Sequence, residues 1–112
     1  MTPLSGIFVP NIVPYHPDGS IHEAELRRII RWLGEKGVTG FYPNGSMGEF
    51  IRLSYEERRR VVEIVAEEAG GRPILAGAAE PNIDRVLEMC RHCADLGCRA
   101  VSITGPYYYR LT

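Results

Sequence analysis

The sequence contains almost no lysine, little cysteine and no long apolar run. Lys36 is its only lysine, whereas arginine occurs 12 times. No apolar stretch approaches the roughly 20 residues of a membrane-spanning helix, and the first residues lack the basic and apolar regions of a secretory signal. Three cysteines without such a signal are typical of reduced thiols. These absences predict a cytoplasmic protein without a membrane partner.

An excess of charge of either sign is also absent. The formal net charge of the 112 residues is −1, so the charge balance does not favour nucleic acid or an anionic membrane as a partner. Hydrophobic residues make up 45% of the chain and charged residues 24%, which is an ordinary globular mixture. The length predicts one domain, residues 1–112, that can bury a core.

Four short apolar segments alternate with three segments of helical periodicity. We predict strands near residues 7–9, 39–42, 73–76 and 100–103. A first helix is predicted over residues 21–35, a second after Ser54 and a third after Asn82. Glycines follow each of the three helical segments and predict where the helices end.

Local signals mark the starts of the helices. Ser20 with Glu23, and Ser54 with Glu57, match the capping box, and Asn82 is a favoured N-cap residue. Apolar residues at helical spacing behind these caps predict the buried helix faces. They are Leu26, Ile29, Ile30 and Leu33 in the first helix, Val61, Val62, Val65 and Ala69 in the second, and Ile83, Val86, Leu87, Cys90 and Ala94 in the third.

The alternation of strands and helices predicts an α/β fold with a parallel sheet. The strands recur at about 30 residues, which is the length of one βα unit. This spacing alone allows either a doubly wound sheet or the first half of a (β/α)₈ barrel. Both folds bind ligands at the carboxyl ends of their strands. Small and hydroxylated residues follow three of the predicted strands, at 44–46, 77–79 and 104–107.

The segment from Asn44 to Glu49 is the strongest candidate site. Gly45 and Gly48 let the backbone turn tightly and approach a ligand without a Cβ atom. Successive exposed amides in such a turn form a concavity that suits a carboxylate or a phosphate, and Ser46 adds a hydroxyl group. We expect Glu49 to orient the loop by accepting backbone amides. A simple turn between a strand and a helix is the alternative.

Five stretches spread over nearly the whole chain form a specific combination. They are Val13-Pro14-Tyr15 with Asp18-Gly19, Gly45-Ser46-Met47-Gly48-Glu49-Phe50, Leu53-Ser54 with Glu56-Glu57-Arg58, Pro73-Ile74-Leu75-Ala76-Gly77 and Pro106-Tyr107-Tyr108. In this order and spacing, the chain resembles the family of dihydrodipicolinate synthases and N-acetylneuraminate lyases, which are pyruvate-dependent class I aldolases. The glycine loop together with the later Pro-Tyr-Tyr is much more specific than either motif alone.

The resemblance implies that the chain forms the first four βα units, with parallel strands, of a (β/α)₈ TIM barrel of roughly 250 residues. It also implies that the backbone amides of Ser46 and Met47 hold the carboxylate of pyruvate. Ser46 and Tyr108 correspond to two members of the family's proton relay, and Tyr108 to the one that reaches across a dimer interface. A homo-oligomer that uses no cofactor and no metal ion is implied as well.

The resemblance places the catalytic lysine, which forms a Schiff base with pyruvate, beyond Thr112, together with the third relay member. Only a primary amine can form the protonated imine that turns the pyruvate methyl group into a carbon nucleophile. Lys36 ends the first predicted helix, where the helix dipole favours a cation, and it therefore lies on the face opposite the site. We expect the chain alone to be inactive. A non-catalytic half-barrel that binds a small carboxylate, or assembles with a partner, is the alternative function.

Some residues depart from the family pattern. Met47 stands where many members have a second threonine, so a hydroxyl is lost and bulk is gained. This favours a sugar-acid aldolase, a sialic-acid-type lyase or an aromatic hydratase-aldolase over a dihydrodipicolinate synthase. Ala79 and Glu80 replace the smaller residues common after strand three, and Val13 replaces a threonine near strand one.

Other polar residues are interpreted as structural. Cys90-x-x-Cys93 resembles half a metal or redox site, but position 90 falls on the predicted buried helix face, and zinc needs four ligands. We interpret residues 58–60, three consecutive arginines, as the solvated face of the second helix. His16 and His22 are predicted to be surface residues.

Overall fold

The structure, a computed structural model that describes residues 3–105, contains four short strands and three helices in strict alternation. The strands are β1 (Phe8–Val9), β2 (Gly40–Phe41), β3 (Leu75–Gly77) and β4 (Ala100–Ser102), and the helices are α1 (Glu23–Glu35), α2 (Tyr55–Glu68) and α3 (Ile83–Asp95). Each element overlaps its predicted segment. Between β2 and α2 lie two 3₁₀ turns, Ser46–Gly48 and Phe50–Arg52. None of the described helices has the length and apolar character that crossing a membrane requires.

All of the described strand pairs are parallel, and neighbouring strands follow chain order. β1 pairs with β2 and β3 pairs with β4. A single parallel bridge between Phe41 and Ile74 joins the two pairs. A doubly wound sheet reverses its strand order at a switch point, and these strands run in the order 1-2-3-4. This order is consistent with part of a barrel.

The helices form one layer that covers the strands. α1 packs against α2, and α2 packs against α3. Phe41 and Ile74, at the joint between the strand pairs, are buried beneath this layer. The predicted inner face of α2 is confirmed, since all four of its residues are buried: Val61, Val62, Val65 and Ala69.

The start of α1 differs from the prediction. His22, not Ser20, is the N-cap residue, and its Nδ1 accepts a hydrogen bond from the Glu25 amide at 3.2 Å. The amide and the hydroxyl of Ser20 both donate to Asp18 Oδ1, at 2.9 and 2.6 Å. The aspartate turn thus engages the serine before the helix begins. His22 is half-buried and its ring stacks on that of His16, with ring centres 4.1 Å apart.

The start of α2 confirms the prediction. Ser54 Oγ accepts from the Glu57 amide, and the Glu57 carboxylate accepts from the Ser54 amide, which completes the capping box. At α3, the Asn82 side chain accepts from the Asp84 amide, as predicted for a cap.

The predicted buried face of α3 is partly wrong. Ile83 and Leu87 are 68% and 47% exposed, whereas Val86, Met89 and Cys93 are buried. The apolar stripe in the sequence is wider than the face that packs against the neighbouring elements. Which residues of such a stripe are buried is set by the packing angle, and helical periodicity does not supply that angle.

Candidate functional site

A small cavity of about 50 Å³ lies where the strands end. Its lining residues carry hydroxyl, amide, aromatic or small side chains. They are Tyr42, Asn44, Gly45, Ser46, Phe50, Gly77, Ala79, Ser102 and Thr104. The small and hydroxylated residues that follow strands two, three and four in the sequence therefore converge, as predicted from a parallel sheet. Ser102 was not among the predicted residues, because it lies inside β4 rather than after it.

A larger concave surface lies elsewhere on the described part of the chain. A groove of about 660 Å³ runs beside β1 and α1, and apolar side chains such as Ile12, Ile29 and Trp32 provide much of its lining. The small cavity is the better candidate for chemistry, because hydroxyl groups and backbone amides meet there.

The turn that carries Ser46 is built differently from the prediction. Left-handed backbone occurs at Asn44 (φ 61°) and Glu49 (φ 52°), not at the two glycines between them. A Cβ atom on Gly45 would lie 3.0 Å from the Tyr42 ring, and one on Gly48 would lie 3.1 Å from the Asn11 carbonyl oxygen. The glycines are therefore explained by close packing against protein atoms.

Two neighbouring backbone amides at the start of this turn have no hydrogen-bond acceptor inside it. The Gly48 amide donates to the Gly45 carbonyl at 3.1 Å, and the Glu49 amide donates to the Ser46 carbonyl at 3.0 Å. The amides of Ser46 and Met47 precede these bonds and have no acceptor inside the turn. Both residues are exposed, Met47 to 61%. Two adjacent amides beside the Ser46 hydroxyl can donate hydrogen bonds to a carboxylate.

Asn44 fixes the entrance to the turn. Its side chain is buried, and Nδ2 donates to the Arg58 carbonyl oxygen at 2.9 Å. Within the described residues, its buried Oδ1 has no hydrogen-bond partner. The side-chain amide of Asn44, a residue of the cavity lining, is thus held by α2.

The interpretation of Arg58 as a solvated residue is wrong. Its side chain is 10% exposed and forms an ion pair with Glu80, whose side chain is 6% exposed. Arg58 Nε donates to Glu80 Oε1 at 2.7 Å, and Nη1 donates to the carbonyl oxygens of Phe50, at 3.1 Å, and Leu53. The one clue in the sequence was Glu80 itself, a charged residue where smaller ones are common.

The other two arginines of the run are partly exposed. Arg59 lies 4.0 Å from Glu56, and Arg60 bonds to Glu23 and Glu63 at 2.7 and 3.1 Å. These contacts lie on or between helices, and the prediction of a helix surface holds for these two residues.

Glu49 does not have its predicted role within the described part of the chain. Its carboxylate is exposed and lies 3.8 Å from the Arg52 guanidinium, instead of accepting loop amides. The Arg52 guanidinium also stacks 4.2 Å from the centre of the Tyr15 ring. Burial raises the pKa of Tyr15, and the positive charge of Arg52 partly offsets that effect.

Lys36 and the turn that carries Ser46 are separated by β2. It is the C-cap residue of α1, with its ammonium group 5.4 Å from the centre of the Trp32 ring. The chain enters β2 only at Gly40 and reaches Ser46 after β2 has ended. Lys36 and Ser46 are therefore at opposite ends of this strand, as predicted.

Within residues 3–105, no three histidine, cysteine or acidic side chains are placed to hold a metal ion. Cys90 is half-buried and Cys93 buried. A hydrogen bond with Cys98, together with burial, raises the pKa of the Cys93 thiol.

Tyr108 lies outside the described residues, so its predicted relay role stays a prediction.

Comparison with known proteins gives one consistent result. The model of the dihydrodipicolinate synthetase family matches residues 3–112. The 4-hydroxy-tetrahydrodipicolinate synthase of Methanothrix thermoacetophila is 40% identical over 105 residues, which are 94% of this chain and 35% of that protein.

Solved structures agree. N-acetylneuraminate lyase from Mycoplasma synoviae superposes with a TM-score of 0.91 at 35% identity, over 96% of this chain and 38% of that one. The 2-keto 3-deoxygluconate aldolase from Picrophilus torridus gives 0.89 at 31% identity, over 96% and 39% of the two chains. The chain thus spans little more than a third of the length of the proteins it resembles.

Proposed function

This chain belongs to the dihydrodipicolinate synthetase family, and from that premise we propose that it is the N-terminal part of a pyruvate-dependent aldolase. In this proposal residues 1–112 supply the first four strands of a (β/α)₈ barrel and the three helices between them. The strand order 1-2-3-4 and the single layer of helices support it.

One observation carries the proposal. The amides of Ser46 and Met47 have no acceptor inside their turn, and they lie at the carboxyl ends of parallel strands beside a hydroxyl-lined cavity. In barrel enzymes this end of the strands is where the chemistry takes place. We assign the two amides to the carboxylate of a 2-oxo acid, pyruvate.

The proposed chemistry needs an electron sink at the pyruvate carbonyl. A lysine in the part of the barrel beyond Thr112 would form the imine, because Lys36 lies at the wrong end of β2. Proton transfers accompany imine and enamine formation. We propose that the Ser46 hydroxyl is one member of the relay that carries them and that Tyr108, contributed by a neighbouring subunit of a homo-oligomer, is another.

The acceptor aldehyde is proposed from Met47. Its side chain is 61% exposed beside the two assigned amides, and it offers bulk but no hydroxyl. An acceptor aldehyde whose aldol product with pyruvate is a sugar acid or a sialic-acid-type compound suits this loop better than the acceptor of lysine biosynthesis. The names of the two superposed enzymes, an N-acetylneuraminate lyase and a 2-keto 3-deoxygluconate aldolase, fit that class.

The test uses a completed barrel, in which residues 1–112 are joined to the C-terminal part of the Methanothrix synthase that the chain does not match. Borohydride with pyruvate should trap one adduct on a lysine of that C-terminal part. The 112-residue chain alone, treated identically, should give no adduct on Lys36. A completed barrel that folds but gives no pyruvate adduct would favour the non-catalytic module. An adduct on Lys36 would overturn the assignment of the catalytic lysine to the part of the barrel beyond Thr112.

A further inference from the structure

The buried ion pair between Arg58 and Glu80 carries an inference about how the site is held. We infer that this pair is a positioning device that fixes the site loop, residues 44–53, and thereby the amides of Ser46 and Met47. The inference deepens the proposed function and rests on it for the identity of the ligand. Neither Arg58 nor Glu80 lines the cavity at the strand ends, so we treat both as positioning residues.

The Arg58 guanidinium reaches three partners at once. Nε and Nη2 bond to the Glu80 carboxylate, and Nη1 donates to the carbonyl oxygens of Phe50 and Leu53. Phe50 opens the second 3₁₀ turn and Leu53 follows its end. The planar fork of arginine is suited to such an arrangement, whereas the single ammonium group of lysine is not.

The backbone of Arg58 holds the other end of the same loop. Its carbonyl oxygen accepts from Asn44 Nδ2 at 2.9 Å. Asn44 has left-handed backbone directly before the glycine turn. Arg58 is therefore bonded to both the first residues and the last residues of the site loop, with Ser46 and Met47 in between.

Glu80 connects this assembly to the second strand pair. It follows β3 by three residues, and Gly77, which ends β3, donates its amide to the Pro43 carbonyl at 2.9 Å. Because the pair is almost fully desolvated, removing one charge leaves the other buried and unpaired. The pair thus fixes the loop to the sheet, and the loss of either charge alone destabilises the fold.

The first measurement is hydrogen exchange of the 112-residue chain, followed by mass spectrometry of peptides that cover the site loop. Glu80→Gln removes the negative charge and keeps the shape. Glu80→Gln leaves Arg58 buried and unpaired and is expected to destabilise the whole fold. Arg58→Met/Glu80→Leu therefore removes both charges together, a change that is often neutral or stabilising for buried pairs. Glu23→Gln is the matched control, since it breaks the partly exposed pair with Arg60 on the helix surface.

The double variant should keep the melting temperature of the wild type. The backbone amide hydrogens of its site loop should nevertheless exchange about tenfold faster, as expected when a hydrogen bond to a charged group is lost. Exchange in α1 and α3 should not change. Glu23→Gln should leave the site loop as it is. Unchanged loop exchange in a stably folded double variant would overturn the inference.

The second measurement is the steady-state kinetics of the completed barrel. The double variant should raise KM for pyruvate by about tenfold, with a smaller effect on kcat, because the displaced groups are the carboxylate-binding amides. A purely stabilising role would move neither constant at temperatures where the protein is folded. If the wild-type completed barrel forms no imine, the proposed function fails, while the exchange measurement still decides the inference. If it forms the imine and KM is unchanged in the double variant, the inference fails and the function stands.

Discussion

The Cα atom of Gly77 packs directly against the Asn44 carbonyl oxygen, so closely that a Cβ atom on Gly77 would overlap it. Gly77 ends β3, and Asn44 begins the site loop after β2. The contact is backbone on backbone, which leaves no flexible side chain to move aside. Glycine at this position is thus a requirement of the junction between β3 and the site loop.

Gly77→Ala should lower the free energy of unfolding by about 1–3 kcal/mol, the usual cost of overpacking. Chemical denaturation measures this change. Gly34→Ala is the matched control, because its new methyl group would approach the end of the Arg72 side chain at 3.0 Å, and that side chain can move. Gly34 lies in the last turn of α1, and alanine is a better helix former than glycine. Equal destabilisation by the two substitutions would contradict the account of Gly77.

Ser54→Ala should destabilise the fold by about 1 kcal/mol, because it removes the capping box of α2. Ser20→Ala should cost clearly less, since His22 caps α1 and Ser20 bonds only within the exposed Asp18 turn. Thermal unfolding of the two variants, measured side by side, tests both statements. A larger loss for Ser20→Ala would restore the original prediction for the start of α1.

The stability of the fold should fall in acid partly through Glu68. Burial raises the pKa of this carboxyl, but hydrogen bonds from Arg27 and Arg31, at 3.1 and 2.9 Å, outweigh burial and hold the pKa below its ordinary value. The stabilisation is complete above the pKa of the unfolded chain, near 4.3, and is lost as the pH falls through the lower pKa of the folded state.

Glu68→Gln should therefore flatten the acid limb of a plot of unfolding free energy against pH. Glu35→Gln, at an exposed glutamate that ends α1, is the control and should leave the limb steep. If the acid limb of Glu68→Gln matches that of the wild type, the pair of arginines does not supply the pH dependence.

Tyr108→Phe in the completed barrel should lower kcat by roughly 10–10³, since a relay hydroxyl contributes general acid–base help. Imine trapping should persist but become slower. Tyr107→Phe is the neighbouring control and should have the smaller effect. Wild-type activity for Tyr108→Phe, with the oligomer intact, would remove Tyr108 from the proposed relay.

Local signals in the sequence were enough for the order of elements and for the convergence of small and hydroxylated residues at the strand ends. Ser54 with Glu57, and Asn82, act through residues two or three positions away, so local sequence is enough to indicate these two caps. The convergence at the strand ends follows from parallel pairing. These parts of the structure depend on short-range geometry or on general rules of sheets.

Several of the mispredicted features depend on distant parts of the chain, although the start of α1 is decided locally by Asp18. Arg58 and Glu80 are separated by 22 residues, and nothing near Arg58 in the sequence shows that a carboxylate will meet it away from water. The buried face of α3 depends on its packing angle in the same way. The left-handed residues Asn44 and Glu49 were missed because glycine is the usual choice for such backbone, and here the glycines serve contact instead.

The single bridge between Phe41 and Ile74 has a consequence for how this protein can evolve. Ladder pairing between β2 and β3 is sparse, and the site loop adds contacts between the two strand pairs, because Asn44 packs against Gly77 and Arg58 pairs with Glu80. The segment assigned to substrate recognition therefore also contributes to holding the strand pairs together. Loosening it to admit a new substrate would weaken the whole assembly, so new specificity should arise more readily from residues at the rim of the cavity, such as Met47.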